Sequence, residues 1–425
     1  MKLDYKKTFL IGFGFFASSL AWSIYNSFVP LMLEERFLAS TAIIGFIMTI
    51  DNIFGVIFQP LFGQLSDRTR TRFGRRMPYI MLGIPTCAAA FIFIPRMPTL
   101  FAMMAVIIAF NLIMSFWRSP VVALMPDLTP SPLRSKANGI INLMGGVGSI
   151  IAFFVGGLLA KAGGYNAPFL MGAAVMLAAL IILFTFIKEP DSRKLGRQLD
   201  TANQMLSRDD TAQTGTKADL SVHRHLSRPE KVSLFALLLA IFFWFCGYNA
   251  VETFFTLYAT QTLGISGGDA AMTLTLFSLA LVAFALPAGI LAGRFGRRRM
   301  ILIGLVGMII AFIPMLFIEN LWILRLLLFL GGLCWACINI NSLPMVVELA
   351  SHDRIGSYTG YYYFFSFSAA IVSPTLFGLL RDLTDQYSIL FPYSIAAFAL
   401  AFICMLMVHH GEAEAEPLPE QATVS

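Results

Sequence analysis

The feature that most constrains this chain is a series of long apolar runs separated by short polar segments. A helix needs about 20 apolar residues to cross a bilayer, and it satisfies its own backbone hydrogen bonds there. Each run therefore predicts a membrane-spanning helix. We expect twelve spans, which begin near Thr8, Ser40, Met77, Thr99, Leu133, Tyr165, Lys231, Gly267, Arg299, Asn320, Asp353 and Gln386.

The composition supports a membrane protein. Of the 425 residues, 57% are hydrophobic and 13% are charged, whereas soluble domains carry about 25% charged residues. In water, so apolar a chain would expose a very large apolar surface. We therefore expect this surface to face lipid.

The basic residues are unevenly distributed between the two sides of the predicted bundle. The side that holds both termini carries 24 Lys and Arg residues, the other side carries five, and Arg118 falls within a span. Basic residues concentrate in cytoplasmic loops of membrane proteins. We expect a multi-pass protein of the cell (inner or plasma) membrane with both termini in the cytoplasm. The net charge of +6 then reflects topology, and we expect no nucleic-acid partner.

A polar segment divides the spans into two sets of six. Residues 189–230 contain no Phe, Tyr or Trp, so this segment cannot bury a core. We expect an N-terminal six-helix half at 1–188, a cytoplasmic linker at 189–230, a C-terminal six-helix half at 231–410 and a disordered cytoplasmic tail at 411–425.

The two halves repeat one motif of glycine and arginine. It occupies Gly63–Arg76 after the second span and Gly289–Arg299 after the eighth span. The fourth span ends in Asp127, with Arg134 shortly after it, and the tenth ends in Glu348, with Arg354 shortly after it. This recurrence indicates an internal duplication.

The first of these loops resembles the major facilitator superfamily pattern Gly-x-x-x-Asp-Arg…Gly-Arg-Arg. Its extension through Pro78-Tyr79-Ile80, and the segment Pro120–Leu128, are similar to plant sucrose transporters and their animal and bacterial relatives. The resemblance is strongest from Asp51 to Gly139. It implies an all-α polytopic fold of twelve helices in two pseudo-symmetric halves, and proton-coupled symport of a sugar or glycoside by alternating access.

The resemblance also implies a charge lock on the cytoplasmic side, built from the repeated loops and the acids that end spans four and ten. The alternative is that the arginines only set topology, but topology requires neither the glycines nor the acids. The C-terminal loop has Gly293 where the N-terminal loop has its aspartate. The expected gating residues are Gly63, Asp67, Arg75, Arg76, Asp127 and Arg134 in the first half, and Arg297, Arg298, Glu348 and Arg354 in the second.

Three charged residues fall inside predicted spans: Asp51, Arg118 and Glu252. A charge at the bilayer centre costs about 2.5–3.5 kcal/mol on insertion scales, and such residues usually line a pathway. Removal from water disfavours an ionised carboxylate, so Asp51 and Glu252 are our candidates for proton coupling. Arg118 keeps its proton and would bind substrate oxygens or pair with an acid. A structural role for the acids, and snorkelling of Arg118 to the surface, are the alternatives.

Melibiose-type sodium symporters, which are similar to this chain in span two, carry two aspartates there. Gly55 and Gln59 occupy those positions here. A hard cation needs a cluster of oxygen ligands, so we expect protons rather than sodium to be the coupling ion.

Polar and aromatic residues recur at helical spacing in spans one, four, seven and ten. Aromatic rings can stack on the C–H faces of sugars, and amides can bind their hydroxyl groups. Each stripe could also be ordinary helix packing, but four stripes in spans that would face a cavity favour a sugar. The candidate substrate-binding residues are Trp22, Asn26, Asn111, Arg118, Trp244, Tyr248, Asn249 and Asn339.

Two other functions are compatible with the sequence. A proton-coupled exporter of a drug or metabolite would use the same membrane acids, and a non-transporting membrane sensor would need an appended signalling domain. The sequence shows no catalytic triad, metal cluster or nucleotide motif, so we expect neither an enzyme nor a cofactor or metal. The expected partners are the sugar or glycoside, protons and the bilayer, and we expect a monomer.

Overall fold

The computed structural model describes residues 3–130, 133–189, 227–318, 320–349 and 355–410. Within these ranges twelve helices are long and apolar enough to cross a membrane, which confirms the all-α fold with twelve spans. Three short 3-10 turns, Ile94–Arg96, Pro314–Leu316 and Tyr387–Ile389, adjoin three of them. The helices are α1 (Tyr5–Phe37), α2 (Thr41–Arg68), α3 (Met77–Phe93), α4 (Leu100–Leu128), α5 (Arg134–Gly163), α6 (Asn166–Phe186), α7 (Arg228–Leu263), α8 (Gly267–Phe295), α9 (Arg297–Phe312), α10 (Leu321–Glu348), α11 (Ile355–Thr384) and α12 (Leu390–Leu406).

The helix starts follow local capping signals. The Ser40 hydroxyl accepts a hydrogen bond from the Ile43 amide at the start of α2. Ser227 and Glu230 form a reciprocal capping box, so α7 begins at Arg228, three residues before the start that we expected. Most of the expected linker (190–226) and the expected tail (411–425) lie outside the described residues.

The helices of the two halves pack in the same pattern. In the first half α1 packs on α5 and α6, α4 on α2 and α3, and α3 on α6. In the second half α7 packs on α11 and α12, α10 on α8 and α9, and α9 on α12. Each pair in the first half recurs six helices later, so the halves are pseudo-symmetric.

Most contacts between the halves come from three helix pairs: α2 with α11, α5 with α8, and α1 with α7. The α5–α8 contact is a backbone contact between glycines, because a methyl group added at Gly268 would lie 2.5 Å from the carbonyl oxygen of Gly157. At the α2–α11 contact, Gly45 lies directly against the backbone of Pro374. Small residues at these positions let the helices approach closely.

We name the two ends of the bundle by their charge. The arginine-rich face carries the α2–α3 loop (69–76), the α8–α9 junction at Gly296, the first residues of α1 and the last residues of α12. The opposite face carries the α1–α2 junction (38–40), the α7–α8 connection (264–266) and the α11–α12 connection (385–389).

Candidate functional site

A cavity of about 100 Å³ lies between the two halves. It is enclosed by α1 and α5 of the first half and by α7, α8, α9 and α10 of the second half. Its polar lining consists of Ser23, Ser149, Tyr248, Glu252 and Ser278. One membrane carboxylate therefore faces a small interior space to which both halves contribute.

The surroundings of Glu252 draw on both halves. Asn26 of α1 and Tyr248, one turn earlier on α7, adjoin the Glu252 carboxylate. The Tyr248 ring stacks on Trp335 of α10, with 4.4 Å between ring centroids and 2° between their planes. The Tyr248 ring, packed against Trp335, and the Glu252 carboxylate therefore lie side by side in the cavity lining.

Asp51 of α2 lies in a second polar group. Its Oδ1 atom accepts hydrogen bonds from the backbone amide of Asn52 at 2.7 Å and from the side-chain amide of Asn52 at 2.8 Å. Arg118 of α4 and Glu252 of α7 both act electrostatically on the Asp51 carboxylate. Tyr363 of α11, which was not among the predicted site residues, lies within electrostatic reach of Arg118. Asp51 thus lies within electrostatic reach of both other membrane charges, one of which belongs to the opposite half.

Several expected substrate contacts do not line the described cavity. Trp244 is fully buried, and the Asn249 amide donates to the Phe245 carbonyl of its own helix at 2.7 Å. Asn111 is buried, with neither amide atom hydrogen-bonded within the described chain. Trp22 packs edge-on against Tyr25, with centroids 5.6 Å apart.

Asn339 also stays outside this cavity. It is half-buried on α10, and its backbone carbonyl accepts a hydrogen bond from Ser342 at 2.8 Å. In this conformation these residues lie outside the cavity lining, whereas Asn26, Tyr248 and Glu252 meet at the interface.

The predicted gating residues of the first half form a connected cluster. An Arg75 nitrogen donates to Asp127 at 2.6 Å, and Arg76 Nε donates to Asp127 at 2.9 Å. Arg76 also contacts Asp67 and donates to the Gly63 carbonyl at 3.2 Å. The loop is therefore tied to the end of α4 by a buried arginine.

Glu189, which we assigned to the solvated linker, belongs structurally to this cluster. Its carboxylate accepts hydrogen bonds from the backbone amides of Arg76 at 2.9 Å and Met77 at 3.1 Å. Arg76 provides no side-chain cap for α3, so Glu189 supplies the negative charge that a helix start favours.

The second half has a simpler arrangement. Arg297 donates to Glu348 at 2.8 Å, whereas Arg298 donates to the Leu406 carbonyl of α12 at 3.0 Å. Arg134 is the first residue of α5, but its side chain, like the whole of Arg354, lies outside the described part of the chain.

Contacts that the sequence did not reveal join the halves at the opposite face. The Tyr387 hydroxyl donates to Glu34 at 2.7 Å, and Lys161 of α5 pairs with Asp269 of α8 at 2.8 Å. Asp382 of α11 accepts hydrogen bonds from the first two backbone amides of α2. Opposite charges at the ends of spans in different halves could have indicated such contacts. The sequence does not show which ends meet. These contacts hold the opposite face closed.

The described residues contain no group of three or more His, Cys, Asp or Glu side chains that could hold a metal ion. The site is instead a set of charges at an interface between two pseudo-equivalent halves. Together with twelve spans, it defines a multi-pass membrane transporter. The chain belongs to the Major Facilitator Superfamily, whose family model matches residues 11–274 and 237–424.

Individual relatives are distant. The chain is 26% identical over 279 residues to Multidrug resistance protein 2 of Bacillus subtilis. The matched region covers 65% of this chain and 66% of that protein. It is 25% identical over 190 residues to the Isoprimeverose transporter of Lactiplantibacillus pentosus, covering 41% of this chain and 40% of that one. Multidrug resistance protein MdtG of Salmonella choleraesuis is 25% identical over 337 residues, 75% of this chain and 74% of the relative. The chain thus spans two thirds or less of the length of the first two.

Solved structures share the fold. The nucleoside transporter NupG superimposes with a TM-score of 0.70 at 16% identity, over 95% of this chain and 100% of that one. A POT family transporter in complex with 5-aminolevulinic acid gives a TM-score of 0.71 at 13% identity, over 96% of both chains. At these identities the likeness shows the fold alone.

Proposed function

We propose that this protein is a secondary active transporter that couples entry of a sugar or glycoside to protons by alternating access. The observation that carries the proposal is that Asp51 of one half and Glu252 of the other lie within electrostatic reach across the interface. These carboxylates interact electrostatically at the interface that alternating access would open and close. Their mutual interaction therefore depends on the conformation.

Charge balance supports proton coupling. With both acids ionised, Asp51, Glu252 and Arg118 carry a net charge of −1, and one bound proton makes the group neutral. A low-dielectric bundle favours the neutral form, while water admitted from either side favours ionisation. Moving the halves would thus bind and release a proton.

The chemistry of the wall suits a sugar. Tyr248, held flat against Trp335, offers an aromatic surface beside a carboxylate. Ser23, Ser149 and Ser278 supply hydroxyl groups in the same cavity. The cavity of about 100 Å³ is smaller than the roughly 300–1,000 Å³ of ordinary ligand sites, so a sugar would enter only when the halves separate. A relative named as an isoprimeverose transporter agrees with this substrate class.

A second candidate is a proton-coupled exporter of lipophilic drugs. The remainder of the cavity lining is apolar and includes Phe153, Phe277, Met308 and Phe312. An apolar pocket with one carboxylate would also accept a lipophilic cation. The relatives named as multidrug resistance proteins favour this alternative.

We further propose that the arginine-rich face is cytoplasmic, as the positive-inside rule implies, and that the chain works as a monomer. The halves would be 1–188 and 231–410. In that orientation the structure is closed towards the outside.

Uptake into proteoliposomes distinguishes the candidates. Labelled mono- and disaccharides and a fluorescent lipophilic cation are offered with and without an imposed pH gradient. Glu252→Gln is compared with Asp385→Asn, which removes an exposed acid. Gradient-driven sugar accumulation that Glu252→Gln alone abolishes supports the proposal. Transport of the cation without any sugar uptake would establish the exporter instead.

A further inference from the structure

A second concave feature lies on the outer surface of the bundle, away from the cavity between the halves. It is a groove of about 380 Å³ between α7 and α12 at the arginine-rich face. Its walls are apolar and include Val232, Phe235 and Leu239 of α7 and Met407, which directly follows α12. Arg228 and Lys231 stand at its mouth.

The two cations occupy a position that a helix disfavours. Arg228 lies at the first position of α7 and Lys231 one turn later, where the positive end of the helix dipole repels cations. Glu230, the acid of this turn, directs its carboxylate back to the Ser227 amide at 2.7 Å. Neither cation pairs with a carboxylate in the described ranges. Among the described residues, the mouth of the groove therefore carries a net positive charge.

We propose that this groove binds an anionic phospholipid. The phosphate would lie against Arg228 and Lys231, and an acyl chain would follow the apolar wall. From Lys231 to Leu239 the wall is about 12 Å long at 1.5 Å per residue, and it runs from the charged face into the hydrocarbon region. Phe235 is 62% exposed and Val232 49% exposed, so a chain lying there would cover apolar surface. Only a ligand with both an anionic head and an apolar tail matches both parts.

A bound lipid would have a structural consequence. It would fill the gap between α7 and α12 at the arginine-rich end of α7. This end lies away from the contacts that close the opposite face. Because α7 also carries Tyr248 and Glu252, the lipid would stabilise the position of the helix that contributes these residues to the candidate site. The simpler alternative is that the two cations only fix topology, in which case the lipid head group makes no difference.

Native mass spectrometry of the purified full-length protein tests the proposal. Phosphatidylglycerol and phosphatidylcholine with identical acyl chains are added at equal concentrations, and the fractions with one bound lipid are compared. A basic residue near an anionic lipid contributes about 5-fold in affinity, so two should give a preference of about 25-fold for phosphatidylglycerol. Equal binding of the two lipids would overturn the proposal.

Paired variants locate the site. Arg228→Gln with Lys231→Gln should reduce the preference to near parity. Lys6→Gln with Lys7→Gln removes the same charge from the same face without touching the groove, and should retain it. Each variant is checked by size-exclusion chromatography and for an unchanged melting temperature in lipid-free detergent. A preference that survives the first pair and disappears in the second would exclude this groove.

A third variant separates the lipid from a free anion. Ala236→Leu narrows the groove and leaves both cations in place, so it should weaken phosphatidylglycerol binding several-fold. Excess inorganic phosphate should leave lipid binding unchanged. Full displacement by phosphate, together with unaltered binding to Ala236→Leu, would show an anion site without a place for the acyl chain and would contradict the proposal.

Discussion

Asp382→Ala is the sharpest test of how the opposite face is held closed. The Asp382 carboxylate accepts hydrogen bonds from the backbone amides of Thr41 at 3.0 Å and Ala42 at 2.9 Å. A capping side chain stabilises its helix by about 0.5–2 kcal/mol, and Asp382 can do so only while α2 and α11 touch. Its loss should weaken closure by about 1 kcal/mol, which is about a 5-fold larger open population. The helix itself should persist, because Ser40 also caps α2.

Cysteine labelling measures this population. Leu31→Cys, in a background without the five native cysteines, places a thiol at a fully buried position against Gly267 of α8. A membrane-impermeant maleimide applied from the opposite face should label it about 5-fold faster in the Asp382→Ala variant. Leu38→Cys, at an 88% exposed position, gives the labelling rate of a fully accessible thiol, which is the upper limit for Leu31→Cys.

The matched control removes a neighbouring acid. The Asp385 side chain is 91% exposed and lies 3.6 Å from Arg381, so Asp385→Ala deletes one negative charge at the same face without uncapping α2. Equal labelling rates in the Asp382→Ala and Asp385→Ala variants would refute the capping argument. They would leave the Glu34 and Lys161 contacts as the closing interactions.

Three further predictions concern coupling, the loop cluster and the cation. Glu252→Gln should abolish accumulation driven by a pH gradient but retain exchange of labelled sugar, because exchange needs no net protonation change; normal accumulation would contradict this. Arg76→Ala should destabilise the protein by about 2 kcal/mol, because it removes the charge-assisted hydrogen bonds of Arg76 to Asp67 and Asp127, so its melting temperature in detergent should fall below that of Arg68→Ala. Replacing sodium with choline should leave sugar uptake unchanged, while sugar entry alkalinises a lightly buffered medium; sodium-dependent uptake without proton movement would reverse the assignment.

The helices could be predicted because length and hydropathy are local properties of the chain. Every expected start lies within three residues of the start of the corresponding helix or of the 3-10 turn that precedes it. The shift at α7 has a local cause as well, since Ser227 and Glu230 form a capping box. This Ser-x-x-Glu signal is present in the sequence, but the polar surroundings made the segment look like linker.

The composition of the site could be predicted only in part, because helical spacing does not determine how a helix is rotated against its neighbours. Trp244, Tyr248 and Glu252 share one stripe of α7, yet Trp244 is fully buried while the other two face the cavity. The stacking of Tyr248 on Trp335 depends on how α7 meets α10.

Long-range contacts were beyond the reach of the sequence. Tyr387 and Glu34 meet across 353 residues, and their contact exists only in this arrangement of the two halves. Glu189 was hidden for a different reason, because its polar neighbours suggested solvent whereas the uncapped amides of α3 bind it.

The glycine contact between α5 and α8 leaves no room for even one additional carbon atom at Gly268. A methyl group at Gly268 would meet the carbonyl oxygen of Gly157 at 2.5 Å, and backbone cannot rotate aside as a flexible side chain can. Alanine at this position would therefore act as a wedge that forces the two helices apart at the opposite face. Such a variant offers a way to trap the conformer that is open at the opposite face for antibody selection and structure determination, without altering any charged residue.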